Sequence, residues 1–176
     1  MNKIQENPSA CLPVDFAELV SQSIENMRYF IGAEKVQIES DVNDSKTFEG
    51  NPTLLGIILN NLISNGIKHR NPNAENPKIT INVIADFKKA IIHVIDNGIG
   101  IKPSEVENVF DLFYRTNKTE SGGGMGLYLV KEIISRLGGK IMVESSENAG
   151  TEFTVEIPNL NAINNVIPSE TKKYFE

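Results

Sequence analysis

Apolar residues recur every three or four positions in some stretches of this chain and alternate with polar ones in others, and that division predicts most of its elements. Phe16, Leu19, Val20, Ile24, Met27 and Phe30 form a helical stripe opened by Asp15. Val36, Ile38 and Val42 alternate as a strand, and a turn through Asn43-Asp44-Ser45 leads to a short extended piece near Thr47-Phe48. Asn51-Pro52 starts the next helix, with Asn51 as cap and Pro52 in the first turn. Leu55, Ile58, Leu59, Leu62 and Ile63 carry its apolar face towards His69. Residues 70–77 are a loop by composition. Ile79, Ile81 and Val83, then Ala90 to Ile95, make a hairpin turning at Asp86 to Lys89. A short helix follows Lys102-Pro103-Ser104 as far as Phe110, and residues 115–124, with three glycines, read as a mobile loop. Met125 to Leu137 is a third long helix closed by Gly138-Gly139. A last hairpin joins Lys140–Ser145 to Thr151–Ile157 through Asn148-Ala149-Gly150.

Hairpins interleaved with helices, without a sustained βαβ alternation, imply an α+β fold. The architecture expected is a two-layer α/β sandwich, its mixed, mainly antiparallel sheet covered by helices on one face and open on the other. At 176 residues the chain holds one domain. We place it at 14–158, between a flexible N-terminal segment (1–13) and a flexible C-terminal tail (159–176). The net charge of −6, from 17 basic and 23 acidic residues without a Lys/Arg block, disfavours nucleic acid as a partner. The single cysteine, Cys11, cannot form an internal disulfide and suits a reducing compartment. With a polar N-terminus and no bilayer-length apolar run, the expectation is a cytoplasmic domain without membrane contact of its own, compatible with a membrane-anchored parent.

Four polar or glycine-rich stretches then change the picture. In the first, Asn61, Asn65 and Lys68 share a polar helix face. The carboxamide oxygen of Asn65 suits Mg²⁺, a hard cation that takes its other ligands from water and phosphate; an ordinary surface asparagine is the plain alternative. Lys68 reaches phosphate as a point charge, and Asn61 bonds phosphate or positions a water. His69 either edges a base or ribose or interacts with the helix dipole. In the second stretch, Asp96 ends an apolar strand as an acceptor-only group, matching the exocyclic amine of adenine. Gly98 and Gly100 allow a backbone to approach a flat ring, and Ile99 and Ile101 supply apolar walls; a plain Asp-Asn-Gly turn is the competing reading. In the third, Phe110, Leu112, Phe113 and Tyr114 form an aromatic-apolar cluster that anchors the loop, and Arg115 reaches phosphate, a partner or solvent. In the fourth, Gly122, Gly123, Gly124, Met125, Gly126 and Leu127 bring backbone N–H groups to a helix start, a phosphate-binding arrangement. Together they outline one nucleotide pocket. The phosphate loop GxxxxGK[ST] is absent, His93 reads as structural, and Cys11 has no catalytic role.

In this order the stretches resemble the ATP-binding catalytic domain of sensor histidine kinases, of the GHKL-type ATPase superfamily with the Bergerat fold. That superfamily also holds type II topoisomerase ATPase domains, Hsp90 chaperones and MutL-type repair proteins. Residues 61–69 resemble the asparagine box, with Asn65 at the Mg²⁺-ligand position and Lys68 at the phosphate-contacting one. Residues 96–100 resemble the first glycine box, 110–115 the phenylalanine box and 122–127 the second glycine box, with the ATP lid before it. The resemblance spans roughly 12–158 and implies ATP and Mg²⁺ as cofactors. Hydrolases of the superfamily carry a glutamate one turn before the metal-ligand asparagine; Asn61 stands there and cannot serve as a general base. The activity implied is therefore transfer of the γ-phosphoryl group to a histidine on a separate dimerisation and phosphoacceptor domain, with a response regulator downstream. The alternatives are a serine/threonine kinase resembling anti-sigma-factor kinases and a non-catalytic nucleotide-binding module.

Overall fold

The computed structural model describes residues 11–45, 48–114 and 124–160. Its chain order is β1 (Leu12–Pro13), α1 (Phe16–Asn26), β2 (Gln37–Asp44), β3 (Glu49–Gly50), α2 (Pro52–Lys68), β4 (Lys78–Ala85), β5 (Lys89–Asp96), α3 (Gly126–Arg136), β6 (Lys140–Ser146) and β7 (Gly150–Pro158). Five strands form one sheet in the order β2-β4-β5-β7-β6, and β1 pairs with β3 in a two-stranded ribbon. The β2–β4 pair is parallel and the other pairs of the large sheet are antiparallel. This is the mixed, mainly antiparallel sheet expected, with helices on one face.

Strand alternation decides which face is covered. Ile79, Ile81 and Val83 of β4, Ala90, Ile92 and Val94 of β5, and Phe153, Val155 and Ile157 of β7 are buried. They meet Leu55, Ile58, Leu59, Leu62, Ile63 and Ile67 of α2 in one core with Phe16 and Val20 of α1 and Val130 and Ile134 of α3. Each such side chain contributes about 1.5–3 kcal/mol when fully withdrawn from water. The opposite face carries polar contacts instead: the ion pairs Lys78–Glu39 at 2.7 Å and Lys89–Glu156 at 3.0 Å, and a hydrogen bond between His93 Nδ1 and the Glu152 carboxylate at 2.8 Å.

Both predicted caps form. The Asp15 carboxylate accepts the Glu18 N–H at 3.1 Å, and the Asn51 carboxamide oxygen accepts the Leu54 N–H at 3.0 Å. Other expectations need correction. The first helix stops at Asn26 rather than continuing to Phe30, because Met27, Arg28 and Phe30 tighten into three-residue turns before Gly32 takes φ 90°. Only a short 3-10 turn, Val106–Asn108, forms after Pro103, where a helix to Phe110 was expected. The extended piece lies at Glu49–Gly50, and Thr47 is outside the described residues. Leu12 and Pro13, assigned to a flexible segment, are held by pairing with Gly50 and Glu49. Asn159, assigned to the tail, is fully buried: its carboxamide oxygen accepts the Glu49 N–H at 3.1 Å and its own N–H reaches the Lys88 carbonyl at 2.8 Å.

Candidate nucleotide site

Asp96 stands at the last position of β5, where alternation turns it to the helix-covered face beneath α2. A Cβ on Gly66 would lie 2.8 Å from Ile79 Cδ1 and 3.5 Å from the Asp96 Cβ, so the glycine lets α2 pack closely on β4 beside the aspartate. The Asp96 carboxylate accepts the Gly98 N–H at 2.8 Å and the backbone N–H of Thr151. Desolvation outweighs these two bonds and pushes its pKa up to about 6. Among the described residues no cation is recorded on it. With two backbone donors on it, an ionised carboxylate keeps lone pairs for a further donor.

The loop after Asp96 is locked to the end of α2. The Ile99 N–H donates to the His69 carbonyl at 3.0 Å, and a Cβ on Gly98 would overlap that same oxygen. Asn97 turns away from the site and staples the entry of β4, its Oδ1 accepting the Lys78 N–H at 2.7 Å and its Nδ2 donating to Asn76 at 2.9 Å. Ile99, Gly100 and Ile101 are half-buried around the turn.

On α2 itself Asn61, Asn65 and Lys68 share the half-buried polar face, with Lys68 in the last turn and His69 as the cap residue. Asn61 Nδ2 donates to Ile57 of the preceding turn at 2.8 Å. Its Oδ1 looks at the start of α3, where a Cβ on Gly126 would come within 2.9 Å. Asn65 Nδ2 is buried without a partner among the described residues. The carbonyl oxygen is the atom of a carboxamide that would ligate a cation. That donor fits Mg²⁺, which prefers oxygen and keeps several waters. Among the described residues no group of three His, Cys, Asp or Glu side chains is placed to hold a metal. A cation here would therefore rest on Asn65 and a nucleotide's phosphates.

α3 begins at Gly126 without a side-chain cap and without an acid in its first turn, which leaves its first N–H groups for an anion. Met125 is exposed, and Leu127 is half-buried and packs against the core. The Phe113 N–H donates to the Gly124 carbonyl at 3.1 Å, so the residues flanking 115–123 meet, with Tyr114 half-buried beside them. Phe110 sits edge-on to Phe153 at 6.3 Å and anchors the cluster as expected, while Leu112 and Phe113 remain exposed. Arg115, Gly122 and Gly123, together with the loop they belong to, lie outside the described residues.

Three residues at the site were not singled out from the sequence. Gly66 has a signal there, a glycine in the last turns of a helix, beside Asn65 on its polar face. Thr151 and Ser145 have a weaker one. Strand parity puts both on the inner face, and pairing sets Thr151 beside Asp96 and Ser145 beside Thr151.

The end of α2 thus meets the loop after β5 at His69 and Gly98, and Asn61 meets the start of α3 at Gly126; the groove bounded by these three pieces is the candidate site. The family model of histidine kinase-, DNA gyrase B- and HSP90-like ATPases matches residues 50–161. The chain belongs to this family. The fold of these GHKL-type ATPases implies nucleotide binding. Among relatives, the heme sensor protein HssS of Staphylococcus haemolyticus is 34% identical over 148 residues, covering 84% of this chain and 32% of that protein. Sensor histidine kinase RppB of Synechocystis is 32% identical over 146 residues, covering 80% of this chain and 32% of that one. The chain thus spans about a third of the length of these relatives. Among solved structures, full-length ShkA in complex with AMPPNP superposes with a TM-score of 0.73 at 27% identity, covering 85% of this chain and 31% of ShkA. The catalytic domain of histidine kinase ThkA, nucleotide-free, superposes with a TM-score of 0.72 at 28% identity, covering 85% of this chain and 96% of that domain. This GHKL-type domain is therefore homologous to the catalytic domains of sensor histidine kinases.

Proposed function

We propose that this GHKL-type domain is the ATP-binding catalytic part of a two-component sensor histidine kinase, acting on a phosphoacceptor histidine carried by a separate dimerisation domain. The observation that carries the reading is Asp96: a partly buried carboxylate with backbone N–H partners, beside Gly66 of α2. It accepts the adenine amine, while Ile99 and Ile101 flank the base and Lys68 faces the phosphates. Asn65 would hold Mg²⁺, which when bound neutralises and orients the polyphosphate. The N–H groups at Gly126, without a side-chain cap, stabilise phosphate charge. In the transfer the bond from the γ-phosphorus to the β,γ-bridging oxygen breaks and a bond to an imidazole nitrogen forms. ADP leaves, and the imidazole proton passes to a base on the acceptor domain. Asn61 in place of a carboxylate supports transfer over hydrolysis, because a carboxamide cannot activate water. The exposed Leu112, Phe113, Met125 and Leu129 beside the groove offer an apolar surface for the acceptor domain to cover. A response regulator would draw the phosphoryl group onwards, in the cytoplasm.

The test is incubation with γ-labelled ATP, Mg²⁺ and a supplied phosphoacceptor domain. Label on that domain that is lost in acid and kept in base identifies phosphohistidine and supports the reading. Acid-stable label on serine or threonine would replace it with the serine/threonine kinase reading, and no transfer despite ATP binding would leave a nucleotide-binding module.

A further inference from the structure

The rim of the groove opposite α2 is the end of the β6–β7 hairpin, and it is packed onto the base loop backbone to backbone. Asn148 donates its N–H to the Ile99 carbonyl at 2.7 Å. Gly100 leaves no room for a Cβ beside the Ser146 carbonyl, nor Gly150, at φ 97°, beside the Asp96 carbonyl. One side chain bridges the two pieces. Ser145 Oγ accepts the Ile101 N–H at 2.9 Å, donates to the Gly150 carbonyl at 2.7 Å and lies 2.9 Å from Thr151 Oγ1.

A serine hydroxyl has one proton and two lone pairs. The Gly150 carbonyl only accepts, so it takes the proton; the Ile101 N–H only donates, so it takes one lone pair. The contact with Thr151 is then satisfied only if Thr151 is the donor. The Thr151 hydroxyl is thereby committed to Ser145 and turns lone pairs, not a proton, to its other side. Thr151 is the direct cross-strand neighbour of Asp96, to which its backbone N–H is bonded. Two acceptors stand side by side at the base position.

We infer that Ser145 sets the base preference of the site by fixing the orientation of the Thr151 hydroxyl, so that the pocket accepts an exocyclic amine and rejects a carbonyl. The inference rests on the reading of the groove as a nucleotide pocket. An adenine amine offers two hydrogens to the two acceptors. A guanine carbonyl in the same place meets lone pairs on both. Without the Ser145 hydroxyl, Thr151 is released to rotate and donate its proton to that carbonyl. Ser145 thus acts through Thr151 and is a positioning residue.

The experiment is calorimetric titration of the full chain with ATP and with GTP, for the parent, Ser145→Ala, Ser145→Thr and Ser145→Cys, with thermal unfolding confirming that each is folded. Ser145→Ala is expected to narrow the ATP-to-GTP affinity ratio about tenfold, since the lost term is one oriented hydrogen bond. Ser145→Thr keeps a hydroxyl and is expected to hold the ratio within about twofold. Ser145→Cys, with a weak donor and acceptor, narrows it and decides the matter if the alanine variant does not fold. In a Thr151→Val background, which has no hydroxyl to orient, Ser145→Ala leaves the ratio unchanged. Equal losses for ATP and GTP in Ser145→Ala would mean a merely structural role and overturn the inference. So would a threonine variant as unselective as the alanine one, or a narrowing that persists in Thr151→Val. A parent that binds neither nucleotide removes the reading beneath, and the inference with it.

Discussion

Gly66 and Asp96 face one another across the junction of α2 and the sheet: a Cβ built on the glycine would stand 3.5 Å from the Asp96 Cβ and 2.8 Å from Ile79 Cδ1. The aspartate is in ordinary contact distance, but the isoleucine is not. Gly66→Ala gains about 1 kcal/mol of helix propensity and forces Ile79, a fully buried side chain, to move. Packing is expected to win, with a net loss of about 1–2 kcal/mol in the melting free energy. Adding Ile79→Val removes the clashing methyl and should recover most of that loss. A Gly66→Ala protein more stable than the parent would contradict the packing described.

Asp96 should make stability and nucleotide affinity respond to pH in opposite directions. Its pKa rises from 3.8 to about 6 in the folded chain. Between those values the native state holds more proton than the unfolded one, so stability falls as pH rises through the window and levels off above it. At 1.36 kcal/mol per unit, this contribution is on the order of 1–3 kcal/mol. ATP affinity runs the other way, because the adenine amine needs the ionised carboxylate, and should increase as pH rises through about 6. Asp96→Asn should flatten the difference in both profiles. Melting and titration of parent and variant from acid to neutral pH provide the check; identical slopes would contradict the role of this carboxylate.

Asn159 should matter for stability and not for the ligand. It ties the β1–β3 ribbon to the β4–β5 turn through the Glu49 N–H and the Asp86 carbonyl, and it is fully buried. Asn159→Ala leaves the Glu49 N–H without that acceptor and should cost about 1–3 kcal/mol in denaturant melts. Nucleotide affinity at a temperature where the variant is folded should be unchanged.

Local signals carried much of this structure. The caps Asp15 and Asn51, the apolar stripe of α2 and the alternation of β4, β5 and β7 depend on near neighbours, and each forms where its residues predict. The points that escaped depend on distant partners. The β1–β3 ribbon is two residues wide on each side, too short for a pattern, and exists because Leu12 and Pro13 meet Gly50 and Glu49. The parallel β2–β4 pairing joins strands separated by all of α2. The placement of Asn65 and Lys68 on one face of α2 and of Asp96 at the end of β5 was legible because helix period and strand end set it. Thr151 and Ser145 were not, because their relation to Asp96 is a matter of register across β5, β7 and β6. The end of α1 at Asn26 reflects a turn sequence that still lets Phe30 pack against the core, so the apolar period persists where the helix does not.

The central claim is that the polar face of α2 and Asp96 form one Mg²⁺-ATP pocket, and calorimetric titration of the parent, Asn65→Ala and Asp96→Ala with ATP and ADP, with and without Mg²⁺, tests it most directly. The parent should bind ATP in about the micromolar range or somewhat more weakly. Asp96→Ala should lose about 1.5–3 kcal/mol for ATP and ADP alike, because both carry the same base. Asn65→Ala should keep most of its metal-free affinity and lose the gain that Mg²⁺ provides. No heat from the parent at millimolar ATP, or an Asp96→Ala protein that binds ATP as tightly as the parent, would contradict the account.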